Sequence, residues 1–148
     1  MRRALAHVHL HWLVQVTAAV LAMLLAPWTG WAILIGLLVA LGAAARFARR
    51  DLEKTGLALG ACVAGQLPGL LAALLVAAGF ARVLAEPYAS IAWLEAWTIA
   101  WTPLWSLLPD TTFHRRGLYA WLLPFLPFVQ LAFMLGLSRV RAHAGSRG

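Results

Sequence analysis

Five long apolar runs divided by short polar breaks make up most of the 148-residue chain: residues 4–26, 31–45, 57–84, 89–108 and 118–137. A helix crosses a bilayer with about 20 mostly apolar residues, at ~1.5 Å of rise each. The pattern therefore predicts an all-α polytopic membrane bundle of five hydrophobic helices, forming one integral membrane domain over residues 1–148. Four of the five are expected to span. The tryptophan-rich fourth is expected either to span or to lie in the interface. Pro27, Trp28, Thr29 and Gly30 connect the first two runs so tightly that those helices must be antiparallel neighbours.

Composition supports the bilayer as solvent. Hydrophobic residues are 63% of the chain and charged residues 11%, more apolar surface than a water-soluble chain of this length can hide. The 12 basic residues outnumber the 5 acidic ones, and most sit in clusters flanking the apolar runs. There they orient helices and attract anionic headgroups; membrane lipids are the expected partners, and nucleic acid is not. The positive-inside rule places the N-terminus and the 46–54 loop in the cytoplasm, with the plasma membrane as the expected location. Five spans put eight basic residues inside and four outside; if the fourth run does not cross, the C-terminus returns inside and the split is nine to three. The first run has the charged front and apolar middle of a signal peptide. It lacks a small-x-small cleavage site and leads straight into Pro27, so a retained first span is expected. Cys62 is the single cysteine, which excludes an internal disulfide and a multi-thiolate metal site.

Trp93, Trp97, Trp101 and Trp105 recur every fourth residue, within an arc of ~120° on a helix. Glu95, Thr98, Thr102 and Ser106 share a roughly opposite arc, and Ala92, Ala96 and Ala100 line a third. An upright helix would carry at least two indoles into the hydrocarbon, whereas tryptophan gathers at headgroup level. The segment either lies flat with its tryptophans down, or crosses with its tryptophans packed on neighbouring helices or a bound lipid. Glu95 is the acidic residue well inside an apolar run, and at membrane depth it is a candidate proton or cation site.

Gln15, Gln66 and Gln130 are the only glutamines, each near the middle of its run. Amides at that depth hydrogen-bond between helices, worth about 1 kcal/mol each. With Glu95, Thr98 and Thr102 they also define a candidate path for a solute or ion. In the third run, Gly56, Gly60 and Ala64 form one small-residue row and Gly65, Gly69, Ala73 and Ala77 another; both would admit a close neighbour. Pro68, Pro124 and Pro127 are each expected to free a backbone carbonyl and kink their helices near Gln66 and Gln130. His7 and His11 share a helix face with Gln15, and with His114, Asp51 or Asp110 supplying a further ligand in the five-span topology they make a candidate metal site. No HExxH or CxxC motif supports that site, no cofactor is expected, and catalytic constellations are absent.

The run from the basic loop through GQLPGLLAALL resembles part of the Yip-domain family of small multi-spanning membrane proteins. The resemblance rests on a basic loop leading into a small-residue helix with a mid-span proline, here Pro68. It implies five spans, a cytoplasmic N-terminus and a non-enzymatic role through protein or lipid contacts. The first functional expectation is thus a non-enzymatic accessory subunit or scaffold of a membrane complex, paired with another membrane protein or with a second copy. The alternative is a small transporter or channel with a polar path at Glu95, Gln15, Gln66 and Gln130.

Overall fold

Helix α1 (Arg2–Leu25) is amphipathic in the inverted sense. It buries His7, His11, Gln15, Ala18 and Ala22, and turns Leu5, Leu13, Val16, Val20 and Leu24 outward. Water would select the reverse. In hydrocarbon the leucines face a medium like themselves, and the polar side chains must find partners inside the bundle.

In this computed structural model the described residues are 2–25, 29–52, 55–81, 88–109, 112–113 and 116–139. Helices α2 (Gly30–Asp51) and α3 (Thr55–Phe80) follow α1. The fourth run divides into α4 (Tyr88–Thr98), a 3₁₀ turn (Ile99–Trp101) and α5 (Thr102–Trp105). Thr112–Phe113 pairs antiparallel with Arg116–Gly117, and the described residues close with α6 (Leu118–Leu122), a 3₁₀ turn (Leu123–Phe125) and α7 (Leu126–Arg139). Four stretches are long and apolar enough to cross a membrane: Arg2–Leu25, Gly30–Asp51, Gly56–Phe80 and Leu118–Leu137. The all-α bundle is as the sequence predicts, and so is the count of spanning-length helices.

Side-chain contacts establish which helix ends lie together. At one end, the basic end, Asp51 closing α2 meets His7 and Arg3 of α1. At the far end Phe80 of α3 packs against Trp121 of α6, ring centres 5.1 Å apart. Helix α7 then runs back toward the basic end, and a Cβ built on Gly42 would stand 2.7 Å from Leu137.

The fourth run is not one continuous helix. Ile91 near the start of α4 packs with Val76 and Phe80 at the far end. Trp97 reaches the middle of the bundle, where its carbonyl meets Gln15. Pro103 is back at the far end, against Gly30 at the first residue of α2. The segment dips in and returns. Its tip carries Ala100 and Trp101 into a core with Ala18, Ala22, Leu34, Leu37 and Leu126.

Pro103 explains the turn. It has no N–H to give the carbonyl of Ile99, and its ring would clash there in a continued α-helix. The Ile99 carbonyl instead accepts from the Thr102 amide and from the Thr102 hydroxyl, and the chain tightens to 3₁₀. Pro124 sits in the comparable 3₁₀ turn before α7, as expected for that run. Pro68 does not interrupt α3, which is helical on both sides of it.

Candidate functional site

Three helices bring their glutamines to the interior. Gln15 on α1, Gln66 on α3 and Gln130 on α7 are all essentially fully buried. Trp97 at the base of α4 links two of them. Gln15 Nε2 donates to the Trp97 carbonyl at 2.5 Å, and the Trp97 indole N–H donates to Gln66 Oε1 at 3.4 Å. Gln66 Nε2 in turn points at Met134 Sδ, 3.4 Å away, one helical turn beyond Gln130.

Glycine makes this approach possible. A Cβ at Gly65 would lie 2.7 Å from His11 Cβ, and a Cβ at Gly69 would fall inside the Trp97 indole. Of the two small-residue rows on α3, this is the one that packs; around Gly56 and Gly60 there is nothing within 4 Å.

The layer is under-satisfied. His11 Nε2, Gln15 Oε1, Trp101 Nε1 and both polar atoms of Gln130 are buried without a hydrogen-bond partner. Such groups are costly in any protein interior, and more so where lipid rather than water lies outside.

Toward the basic end the polar row continues down α1. His11 Nδ1 lies 2.6 Å from the carbonyl of His7. A carbonyl only accepts, so Nδ1 carries the hydrogen and Nε2 presents a lone pair when the ring is neutral. His7 Nε2 lies 3.0 Å from Asp51 Oδ2, with Arg3 at 3.7 Å from the other carboxylate oxygen. Asp51 is thus held by α1 and is not simply one charge of a solvated loop.

Toward the far end a cleft of about 380 Å³ opens beside α4, lined by Glu95, Thr98, Thr102, Met23, Trp105 and Tyr119 among others. Glu95 and Thr102 are exposed, whereas Thr98 is buried with its hydroxyl donating to the Leu94 carbonyl at 2.7 Å. Thr98 is adjacent to Trp97 and so joins the cleft to the glutamine layer. The predicted residues therefore fall into two sets that meet at residues 97–98. Gln15, Gln66, Gln130 and Thr98 are interior, and Glu95 and Thr102 line the entrance.

His7 is engaged by Asp51 and His11 by its own helix, and His114 and Asp110 lie outside the described residues. Among the described residues no group of three or more His, Cys, Asp or Glu is placed to hold a metal ion. Trp97 and Trp101 are buried in the interior, packed on neighbouring helices, whereas Trp93 is exposed. The available signal was Pro103, which interrupts the fourth-residue spacing as a continuous helix face.

No protein-family model, no curated protein and no solved structure matches this chain.

Proposed function

We propose that this protein is a small transporter or channel that passes a small polar species through its bundle. The observation that carries the reading is the re-entrant α4–α5 segment, whose tip enters a buried layer of unpartnered amide, imidazole and indole groups. Irregular backbone at membrane depth is tolerated where it is enclosed by protein or lines a polar path. Helix α4 also points its C-terminal, partly negative end at the centre, which favours hydrogen-bond donors and cations over anions.

Purified protein reconstituted in liposomes and mixed with hyperosmotic urea or glycerol tests this by stopped-flow light scattering. Wild-type vesicles should shrink and re-swell at least several-fold faster than protein-free vesicles, and Gln15→Leu should remove most of the difference. Equal rates with and without protein for these solutes, together with unchanged rates for small cations including protons, would remove the reading. Glu95→Gln should leave neutral-solute permeation within about twofold and lower that of small cations, because it deletes the charge at the entrance and not the interior layer. Unchanged cation rates would exclude Glu95 from the path.

One observation favours the accessory-subunit reading. A groove of about 540 Å³ on the outer faces of α1 and α2 includes Ala18, Ala32, Gly36 and Ala40, small residues that would admit another helix closely.

Lipid contact belongs with either reading. Arg46 closes one end of an apolar groove of about 440 Å³ formed by α2 and α7, with Val39, Gly42, Phe133 and Leu137 on its walls. An anionic phospholipid fits this shape, with its phosphate at Arg46 and its chain along the groove. Phosphatidylglycerol should raise the melting temperature in detergent by a few degrees more than phosphatidylcholine, and Arg46→Gln should erase that difference. An equal effect of both lipids would argue against the site.

A further inference from the structure

We infer that the species passed is the proton, and that His11 carries it at Nε2 midway between Asp51–His7 and the glutamine layer. This rests on the transporter or channel reading and names its cargo.

Helix α1 places Asp51-bound His7, then His11, then Gln15, on one buried face at successive turns, ~5–6 Å apart. Hydrogen-bond roles along this row are settled by partners that can only accept or only donate. His7 presents Nε2–H to the Asp51 carboxylate, and His11 commits Nδ1–H to the His7 carbonyl. Gln15 commits its amide N–H to the Trp97 carbonyl. What remains open on α1 are two acceptors a turn apart, His11 Nε2 and Gln15 Oε1, each fully buried and unpartnered, while the unpartnered donors of the layer, Trp101 Nε1–H and the Gln130 amide, belong to other elements and bond to neither.

Two acceptors together need a donor between them. A neutral apolar solute supplies none and an anion is repelled. A water molecule supplies both hydrogens, and a hydrated proton supplies them with the charge that the carbonyl end of α4 favours. Imidazole is the one side chain type in this row that exists as both a neutral acceptor and a cationic donor, so it is the group able to hold a proton in transit.

The step balances on a single atom. The Nε2 lone pair forms an N–H bond with a proton delivered by water from the His7–Asp51 side, giving imidazolium. The same N–H bond then breaks toward water on the Gln15 side, restoring the lone pair, while Nδ1–H stays on the His7 carbonyl throughout. From Gln15 the onward route is the Trp97–Thr98 junction and the cleft holding Glu95. The groups facing this row are Asp51 from α2, Gly65 and Gln66 from α3, and Trp97 from α4. Arg3 lies at the mouth. Helix α3 contributes no carboxylate or base, and Cys62 is its one ionisable side chain.

Liposomes loaded with a pH-sensitive dye and given a pH step with valinomycin and potassium present provide the test. Wild-type protein should dissipate the gradient at least tenfold faster than His11→Gln, which keeps a polar side chain there without a site that titrates near neutral pH. Urea permeation of the same variant should stay within about twofold. Asp51→Asn, at the bundle surface, should slow proton uptake several-fold from the basic side. Nitrogen-15 spectra of histidine-labelled wild-type protein in bilayers should show the His11 Nε2 signal converting reversibly from lone-pair to N–H character between pH 8 and pH 5. If His11→Gln conducts protons like wild type, or Nε2 keeps its lone pair throughout, the inference is overturned. Urea flux without proton flux in wild type would overturn it too, yet leave the transporter reading intact. No flux of either kind would remove both.

Discussion

Gly69→Val should collapse the interior layer, while Gly60→Val on the same helix should be nearly silent. A Cβ at Gly69 occupies the space of the Trp97 indole ring, a rigid group that cannot yield like the end of a flexible chain. Trp97 cannot swing aside freely. It is buried, stacked on Trp93 at 6.3 Å between centres, hydrogen-bonded to Gln66, and its carbonyl holds Gln15. The re-entrant segment must lift away from α3, breaking both glutamine contacts at once. Overpacking of this kind costs about 1–3 kcal/mol, and the two severed interhelical hydrogen bonds add about 0.6–1.7 kcal/mol each. For a chain of this size that amounts to a fall in melting temperature of roughly 5–20 °C in detergent. Any solute or proton flux should be lost with it. At Gly60 nothing lies within 4 Å, so valine meets only the surrounding detergent and should move the melting temperature by no more than about 1–2 °C. Equal losses for the two variants would mean that α4 does not pack where it is described.

The contrast also shows what the sequence could and could not disclose. Apolar run length was enough for the four long helices, because a bilayer leaves few other solutions for twenty hydrophobic residues. The inward face of α1 was legible as well, since His7, His11 and Gln15 are the few polar residues on that helix at four-residue spacing. Two equivalent small-residue rows on α3 were not separable, because spacing says that a neighbour can approach but not from which side. A Cβ at residue 65 or 69 would strike His11 or Trp97, whereas one at residue 56 or 60 would meet no neighbour within 4 Å among the described residues. The path residues were named as one list, yet burial divides them: Thr98 is buried at the inner wall of the cleft, and Glu95, three residues earlier, is exposed in it. That division depends on the rotation of a short helix set by long-range contacts to Gly69 and Gln15. Asp51 looked like part of a charged loop because its partner His7 lies 44 positions away.

Cysteines placed at Ala89 and Leu107 should both react from the same side of the membrane, in a Cys62→Ser background. Both residues are exposed, at the two ends of the fourth run. A spanning helix would separate them by the full hydrocarbon thickness of about 30 Å. Helix α4 has 11 residues before its break, about 16 Å of rise, which reaches the middle of a bilayer and no further. Pro103 then forces the turn that brings the chain back to Gly30. Cysteines at Arg2 and Arg139 should react from the opposite side, because α7 runs back past Gly42 toward the end that holds Asp51. The expected contrast is near-complete labelling by an impermeant maleimide from one side and almost none from the other. Ala89 and Leu107 reacting from opposite sides would convert the dip into a fifth crossing and put Arg139 across from Arg2. Trp97 and Gln15 would then meet on a through-going helix, and the polar layer would lose the broken backbone that makes it a site. Pro103→Ala offers a second reading of the same physics. Restoring the amide lets Ile99 regain its helical partner, which favours a straighter segment, so Leu107→Cys in that background should lose part of its one-sided labelling. Full retention would mean that packing of Trp101 against α1 and α2, rather than the missing N–H, holds the turn.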